Sequence, residues 1–471
     1  MLILLIILFI FGISTILFSK SAGTLNPGKI NVISYTYYIF MLQSFTGAAL
    51  IALGYDEHYT LKYLLNKEKT CTITIIVIAV IAIFLPLLIL IWEKIFKVNI
   101  KLQYQWYLEK KVDIDRQNDN IFFEFFLGIS LFCIFMLLGL LSKIGYVPIW
   151  KLFHASSEFN FATERSRIGS LFFINAYFTN IFVLLMIPLL SYVSFAYLLS
   201  TKKKKWLIMT SILFIASIIV KTYKFEKSSL IFYLAAFVLI LIYFKGGIKL
   251  IYMVFTVGAL GSLIVLFYFY TGFTGTLFDI YNGPLGRTLF TEVGTLAYTF
   301  DLFPAVFDFL QGRSFSPTIL KVLGIDSGKY LRSAKLTMAF YGSEGVYNGS
   351  AGVMNSLFVG EAYANWGYKG IILGLIWVSL VLACVIILIL KLKKTPATIT
   401  LLAVLTIRFG TMFEGGFCDF VYNIDVIITI LFIIFIYLVF ESQGKIQQNV
   451  TEKIEKTERS IKEWFGQLKK N

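Results

Sequence analysis

Apolar segments of roughly 17–25 residues alternate along this chain with polar segments, and each is long enough to cross a hydrocarbon layer about 30 Å thick as a helix. Inside such a layer the backbone must satisfy its own hydrogen bonds, so a crossing segment is a helix or a strand of a closed barrel. The segments lack the two-residue alternation of a barrel strand. The pattern therefore predicts an all-α polytopic membrane protein.

The hydrophobic segments predict about eleven transmembrane helices, within a range of about 10–13. They are expected near residues 1–18, 32–53, 72–92, 121–142, 173–199, 206–220, 229–244, 250–270, 357–390, 397–413 and 424–440. Segment 357–390 is longer than a bilayer requires and is expected to tilt or to extend beyond it. Segment 1–18 lacks a basic start and a small-residue cleavage site, so we expect a retained helix rather than a signal peptide.

Composition agrees with this pattern, because 58% of the residues are hydrophobic and only 15% are charged. The formal net charge of +15 does not indicate a nucleic-acid partner, because the basic residues concentrate in alternate loops. By the positive-inside rule those loops are cytoplasmic, which places the N-terminus outside and the C-terminus inside. Two histidines and four scattered cysteines predict no metal site, and no cofactor is expected.

The charge pattern divides the chain into a single transmembrane domain, residues 1–440, and a tail, residues 441–471. The tail is predicted to form an amphipathic helix on the anionic cytoplasmic leaflet, with a short coiled coil as the alternative. Two loops, 143–172 and 271–355, are predicted to be large and external. Within the second, residues 288–310 are semi-apolar and are interpreted as re-entrant or interfacial, although a further span is possible.

The short loop 221–228 departs from the positive-inside rule, because Lys221, Lys224 and Lys227 fall on the external side. One interpretation is that these lysines lie at helix ends and extend toward the membrane surface. The other is a cationic patch at the outer boundary of the membrane, suited to a diphosphate on a lipid carrier.

Loop 143–172 contains a second cluster of His154, Glu158, Glu164, Arg165 and Arg167. An arginine fork binds carboxylate or phosphate oxygens in a bidentate manner, and a neighbouring carboxylate or histidine is a candidate general base for a hydroxyl. A solvated loop with an ordinary ion pair is the alternative.

A third cluster comes from the long external loop and from the stretch where the chain re-enters the membrane. The loop contributes Arg287, Arg313, Arg332, Lys335 and Glu344, and the stretch after it contributes Glu361, Tyr363, Asn365, Trp366 and Gly367. Flat aromatic faces beside hydrogen-bonding groups suit a sugar-binding surface, and they equally suit an interfacial aromatic belt. Arg408 lies within a predicted helix, where a charge is costly, and it is a candidate either for substrate binding or for an ion pair with Glu414.

Four stretches of this chain resemble the Wzy-type O-antigen and capsular oligosaccharide repeat unit polymerases. They are SKIGYVPIWKLF at 142–153, the basic turn and apolar helix at 221–243, QGRSFSP at 311–317, and GSAGVMNSLFVGEAYANWGYKG at 349–370. With the order of the helices, the resemblance covers residues 120–440. One departure from the family is that the turn 221–228 carries lysine where an arginine is expected.

The resemblance implies a membrane glycosyltransferase of the bacterial inner (plasma) membrane. Such enzymes move a growing glycan from undecaprenyl diphosphate onto a lipid-linked acceptor repeat unit, so the implied partners are these two lipids, the membrane and a chain-length regulator protein. The candidate catalytic residues are Arg165, Arg167, Glu164, His154 and Glu361. The candidate substrate-binding residues are Lys221, Lys224, Lys227, Arg287, Arg313, Arg408, Asn365 and Tyr363.

Three other functions remain open from the sequence. A flippase for lipid-linked oligosaccharides would show two related helical halves, and no internal repeat is visible. Another carrier-dependent glycosyltransferase would use an acidic pair on an early external loop, for which Asp56 and Glu57 are candidates. A glycan ligase would share the diphosphate leaving group and differ only in its acceptor.

Overall fold

The computed structural model describes residues 1–114, 119–154, 159–270, 275–349 and 351–441, and these residues are almost entirely helical, with no β-strand among them. The first half contains α1 (Leu2–Ala22), α2 (Val32–Phe40), α3 (Thr46–Ala52), α4 (Tyr59–Lys62), α5 (Lys67–Ile95), α6 (Ile100–Glu109), α7 (Asp119–Ile144), α8 (Pro148–Phe153), α9 (Phe161–Gly169), α10 (Ala176–Phe178), α11 (Met186–Thr201) and α12 (Lys204–Thr222). The predicted amphipathic helix in the tail lies outside the described residues, apart from Glu441. Glu158, from the second predicted cluster, also lies outside them.

The second half contains α13 (Lys227–Lys245), α14 (Leu250–Tyr270), α15 (Pro284–Leu302), α16 (Pro317–Val322), α17 (Ser333–Tyr341), α18 (Ser343–Tyr347), α19 (Leu357–Trp366), α20 (Tyr368–Lys391), α21 (Pro396–Gly415), α22 (Phe417–Val421) and α23 (Ile424–Ile436). Three π-helical turns, Met41–Phe45, Thr179–Leu185 and Tyr437–Glu441, continue the helices beside them. Two short 3-10 turns, Pro27–Lys29 and Ser327–Lys329, complete the elements.

Ten helical segments in the described part of the chain are long and apolar enough to cross a membrane. They are Leu2–Lys29, Lys67–Ile95, Asp119–Ile144, Ala176–Thr201, Lys204–Thr222, Lys227–Lys245, Leu250–Tyr270, Tyr368–Lys391, Pro396–Gly415 and Phe417–Glu441. The predicted helix at 32–53 forms as α2, a π-helical turn and α3, but it is not among the ten, and Ser34, Gln43 and Ser44 contribute to its polarity. The protein is an all-α polytopic membrane protein.

The prediction of one long helix over 357–390 is wrong, because the chain divides it into α19 and α20 at Gly367. Gly367 has φ +61° and ψ −145°, a conformation that glycine adopts without the steric cost of a Cβ. α19 then packs closely on α20, and a Cβ at Gly370 would overlap the carbonyl oxygen of Ala362. The segment therefore supplies one candidate span and a separate buried helix instead of a single tilted span.

The long loop between α14 and α19 contains a well-packed helix, α15, that is not among the ten candidate spans. One side of α15 packs against α5, α19 and the π-helical turn at Met41–Phe45. At its C-terminal end the buried Asp301 carboxylate accepts hydrogen bonds from the Leu65 and Asn66 amides at 2.6 and 3.1 Å. It also accepts from the Thr70 hydroxyl at 3.0 Å and from the Tyr341 hydroxyl. Asp301 thus joins α15 to the start of α5 and to α17.

We expect Asp301→Ala to destabilise the protein by about 3 kcal/mol, because it leaves several donors without their shared acceptor. Thermal unfolding of the purified protein in detergent would show a lower midpoint. Asp308→Ala, at an exposed position a few residues later, is the matched control and should leave the midpoint unchanged. Equal midpoints for the two variants would contradict the role assigned to Asp301.

Candidate functional site

A cavity of about 480 Å³ lies where elements far apart in the sequence meet. Its lining includes three cationic and three acidic side chains together with hydroxyl and aromatic groups. The residues are Gln43, Arg165, Glu226, Lys227, Ser228, Phe232, Tyr268, Arg287, Thr288, Thr291, Glu292 and Glu414. We call this space the main cavity. It is large enough for a small charged headgroup, and its lining combines fixed positive charge with groups able to exchange a proton.

Arg165, on the exposed side of α9, also holds the turn between α12 and α13. Its Nε donates to the Lys224 carbonyl oxygen at 2.9 Å and its Nη2 donates to the Phe225 carbonyl oxygen at 3.1 Å. The ring of Phe225 is buried and packs edge-on against Phe161 of α9, with ring centroids 5.2 Å apart. A guanidinium has five N–H donors, so several remain for a ligand in the main cavity.

Lys227 and Arg287 complete the cationic side of the main cavity. Lys227 is the first residue of α13, and its Nζ lies 3.0 Å from the centroid of the Tyr268 ring, which is a cation–π geometry. Arg287 lies in the first turns of α15 and is exposed. Three predicted site residues from separate loops therefore line one cavity: Arg165, a candidate catalytic residue, and the candidate substrate-binding residues Lys227 and Arg287.

Two carboxyl groups, Glu292 of α15 and Glu414 of α21, line the same cavity. When the Gln43 amide is oriented with its nitrogen toward Glu414, this nitrogen donates a hydrogen bond to the Glu414 carboxylate. Oε2 of Glu292 is buried and has no hydrogen-bond partner among the described residues. Burial, and then the charge of Glu414, raise the pKa of Glu292 well above its ordinary value of 4.5. A carboxyl group in this state is suited to exchanging a proton with a ligand.

Arg167 and Glu164 satisfy each other and do not line the main cavity. Glu164 accepts from Nε and Nη2 of Arg167 at 2.9 and 2.5 Å and from the hydroxyl of Tyr146. The hydrogen bonds from Arg167 are the largest cause that holds the pKa of Glu164 below its ordinary value. Of the two alternatives at this loop, the ordinary ion pair describes Arg167, whereas Arg165 faces the cavity.

The remaining predicted groups of loops 143–172 and 221–228 also lie elsewhere. His154 stacks on the ring of Trp150 with centroids 4.4 Å apart, and its Nδ1 lies 3.1 Å from the Trp150 carbonyl oxygen. The Nζ of Lys224 lies 5.3 Å from the centroid of the Tyr223 ring. Neither His154 nor Lys224 lines the main cavity.

Lys221 and Arg408 meet in a second cavity, of about 150 Å³, which shares the side chain of Phe232 with the main cavity. Its lining is Leu184, Leu185, Pro188, Leu189, Tyr192, Lys221, Ser229, Phe232, Tyr233, Ala236, Val404, Ile407, Arg408, Thr411 and Thr429. We call it the side cavity. Arg408 pairs with Asp425 at 3.3 Å, so the expected alternative of a pair with Glu414 is wrong.

The part of the third predicted cluster that lies in α19 is buried. Asn365 is 0% exposed, and its amide nitrogen donates to the Ser314 hydroxyl at 2.7 Å and to the Glu361 carbonyl oxygen at 2.8 Å. The hydroxyl of Tyr363, whose side chain is also buried, donates to the Phe303 carbonyl oxygen at 3.2 Å. Direct contact with a sugar, which the sequence suggested for both residues, is not available in this structure because their polar groups are engaged internally.

Glu361 and Arg313 stabilise the same region. The Glu361 carboxylate is buried and accepts from the Cys418 amide at 2.9 Å, which joins α19 to α22. Burial raises the pKa of Glu361 to about 7. Arg313 donates from Nε to the Leu310 carbonyl oxygen at 3.0 Å. Neither residue lines the main cavity.

The sequence did not identify Glu292, Gln43 and Tyr268 as site residues. Glu292 could have been identified, because a charged residue within the semi-apolar stretch 288–310 indicates a functional or paired group. Gln43 and Tyr268 are uncharged residues in apolar helices, and nothing in the sequence distinguishes them. Comparison of the chain with protein-family models, with curated proteins and with solved structures finds no match.

Proposed function

We propose that this protein is a membrane glycosyltransferase that polymerises oligosaccharide repeat units carried on undecaprenyl diphosphate at the outer face of a bacterial plasma membrane. The observation that carries the proposal is that Arg165, Lys227 and Arg287 line one cavity, with the carboxyl groups of Glu292 and Glu414 in the same lining. The products would be O-antigen or capsular polysaccharide.

The charges of the main cavity suit a diphosphate leaving group. A diphosphate that links a lipid to a sugar carries two negative charges. The cavity lining offers it three cations, next to the Glu226 carboxylate and the carboxyl groups of Glu292 and Glu414. Arginine forks suit phosphate oxygens, and a fixed cation stabilises charge that develops on the diphosphate as the glycosidic bond breaks. The leaving group is already activated, so the transfer requires no nucleotide.

The acceptor is a sugar hydroxyl of a second lipid-linked repeat unit. Its oxygen forms a bond with the anomeric carbon of the donor, and the bond between that carbon and the diphosphate oxygen breaks. The electron pair of the broken bond leaves with the lipid diphosphate. The hydroxyl proton passes to Glu292 or Glu414, of which at least one must be ionised beforehand. Uncharged Thr288, Thr291 and Ser228 offer hydrogen bonds to the sugars.

The substrate is available only if the main cavity faces the outer side of the membrane. The positive-inside rule places α9 and the starts of α13 and α15 on that side. With the polar helix formed by α2 and α3 counted as an eleventh crossing, the N-terminus is outside and the C-terminus is cytoplasmic.

Labelling of single introduced cysteines tests this orientation. We expect a membrane-impermeant maleimide to label Ser228→Cys in intact cells and Lys204→Cys only after permeabilisation, because the two exposed positions lie at opposite ends of the helices around them. The native protein, with its four cysteines, is the control for background labelling. Labelling of Lys204→Cys alone in intact cells would remove the proposed access to substrate.

We expect Arg165→Gln, Lys227→Gln and Arg287→Gln each to slow polymer formation at least about tenfold, because each removes a charge-assisted contact with the diphosphate. The measurement is polymerisation of purified lipid-linked repeat units by the reconstituted protein. Arg167→Gln is the matched control, since its charge is paired with Glu164, and it should retain most of the activity.

A host strain that lacks the protein separates polymerase from flippase. The proposal expects single lipid-linked repeat units to accumulate on the outer leaflet of this strain. Repeat units retained on the inner leaflet would instead indicate a flippase, and normal polymer from all three cavity variants would contradict the cationic site.

The pH dependence of the reconstituted reaction tests the carboxyl pair. Since the pKa of Glu292 is raised, the acid limb of the rate profile should lie above the ordinary glutamate value of 4.5. Glu414→Gln removes one like charge, which lowers the pKa of Glu292 and moves this limb to lower pH. An unchanged limb in that variant would show that the two carboxyl groups do not act together.

A further inference from the structure

The positive charges that line the side cavity are only partly neutralised by carboxylates of the protein. Its two charged lining residues are both cations, Lys221 and Arg408, and both lie within candidate membrane spans. Arg408 pairs with Asp425, whereas Lys221 makes no hydrogen bond or ion pair with any described residue. The carboxylates that interact electrostatically with Lys221 are those of Asp425 and Glu226.

Neither carboxylate removes this excess of positive charge. Asp425 is already the ion-pair partner of Arg408 at 3.3 Å, and Glu226 lines the main cavity, where three other cations face it. A charge among apolar side chains is costly unless a partner of opposite sign is close. The side cavity therefore favours an anion.

Thr429 gives a second and independent indication of a ligand. It lines the side cavity and is 1% exposed, and its hydroxyl has no hydrogen-bond partner among the described residues. Most other threonine hydroxyls buried in these helices donate to a carbonyl oxygen one turn earlier, as Thr406 does to Leu402 at 2.7 Å. An unpaired buried hydroxyl costs free energy that an oxygen-rich ligand would recover.

The rest of the lining identifies the kind of anion. Aliphatic side chains form most of it, including Leu184, Leu189, Val404 and Ile407. A phosphate offers several acceptor oxygens to an ammonium, a guanidinium and a hydroxyl, and an attached hydrocarbon chain suits the aliphatic side. The volume of about 150 Å³ leaves space for a phosphate group, and a sugar chain attached to that phosphate would extend outside the cavity.

We propose that the side cavity binds the phosphate end of a second lipid phosphate, in addition to the lipid diphosphate in the main cavity. Lys221, Arg408 and Thr429 bind its oxygens, and Phe232 separates the two headgroups. The identity of this lipid rests on the proposed function, since each transfer involves two molecules of the same lipid-diphosphate class. The existence of an anion site rests only on the side cavity.

Native mass spectrometry of the full-length protein with added undecaprenyl diphosphate counts the bound molecules. We expect two molecules on the wild type. Lys221→Met and Thr429→Val should each lower the affinity of one molecule about tenfold and leave the other bound. Arg287→Gln should instead weaken binding of the lipid in the main cavity, because Arg287 lines only that cavity.

Two matched controls lie close to Lys221 in the chain. Lys224→Met removes a lysine that lines neither cavity, and Thr222→Val removes a hydroxyl that already donates to the Ile218 carbonyl oxygen at 2.7 Å. Both should bind two molecules. Binding of only one molecule by the wild type, or of two by Lys221→Met and Thr429→Val with unchanged affinity, would overturn the proposal.

Two further measurements separate the sources of the anion and the two proposals. Inorganic diphosphate that displaces the second lipid at equal concentration, or palmitate that replaces it, would overturn the lipid-phosphate assignment. If polymerisation is absent but the two-molecule count and its loss in Lys221→Met persist, the anion site stands and the polymerase proposal fails. If the protein polymerises repeat units but its Lys221→Met variant still binds two lipid molecules with unchanged affinity, the polymerase proposal stands and the anion site fails.

Discussion

A charged side chain in the apolar interior is stable only where other groups satisfy it, and this constraint organises the helical bundle. Asp119, at the start of α7, accepts from Lys203 at 2.6 Å and from the Trp206 indole at 3.0 Å, which fixes α7 against α12. The ammonium of Lys394 donates to the carbonyl oxygens of Leu108 and Lys110 at 3.1 and 2.9 Å. At these positions charges act as connections between helices.

In the two cavities this satisfaction is incomplete. Glu292 has a buried oxygen without a partner among the described residues, and so has Thr429. Arg165 occupies an intermediate position, because two of its donors hold the turn before α13 while its charge lines the main cavity. Structure and binding are therefore coupled at Arg165, and the turn that presents Lys227 is fixed by the same guanidinium. Other buried polar atoms, such as the Thr210 hydroxyl oxygen, also lack a partner among the described residues. The combination of an unpaired polar group with a cavity and fixed charge is therefore what marks a candidate ligand site.

The sequence predicted the helices well because the length of an apolar segment depends only on local composition. Helix α7 lies at 119–144 against an expected 121–142, and α14 at 250–270 as expected. The break at Gly367 was missed, since glycine is common within apolar helices and only the packing of α19 on α20 requires the break there. Arg165 and Arg167 are equivalent in the sequence, and their difference arises from Glu164 and Tyr146, whose positions depend on the tertiary fold.

The long segment between α14 and α19 shows why the residues of the main cavity could not be predicted from the positions of the loops in the sequence. It was expected to be external, with residues 288–310 re-entrant or interfacial, and α15 within it packs against α5 and α19 with most of its residues buried. Through this packing Arg287 lines the same cavity as Arg165, and Glu292, a little more than one turn later, lines it together with Glu414. A cation near the start of a helix and a carboxyl group farther along the same helix thus sit in one cavity lining. In the proposed reaction, the order of these residues on α15 would set the leaving group and the proton acceptor at adjacent positions.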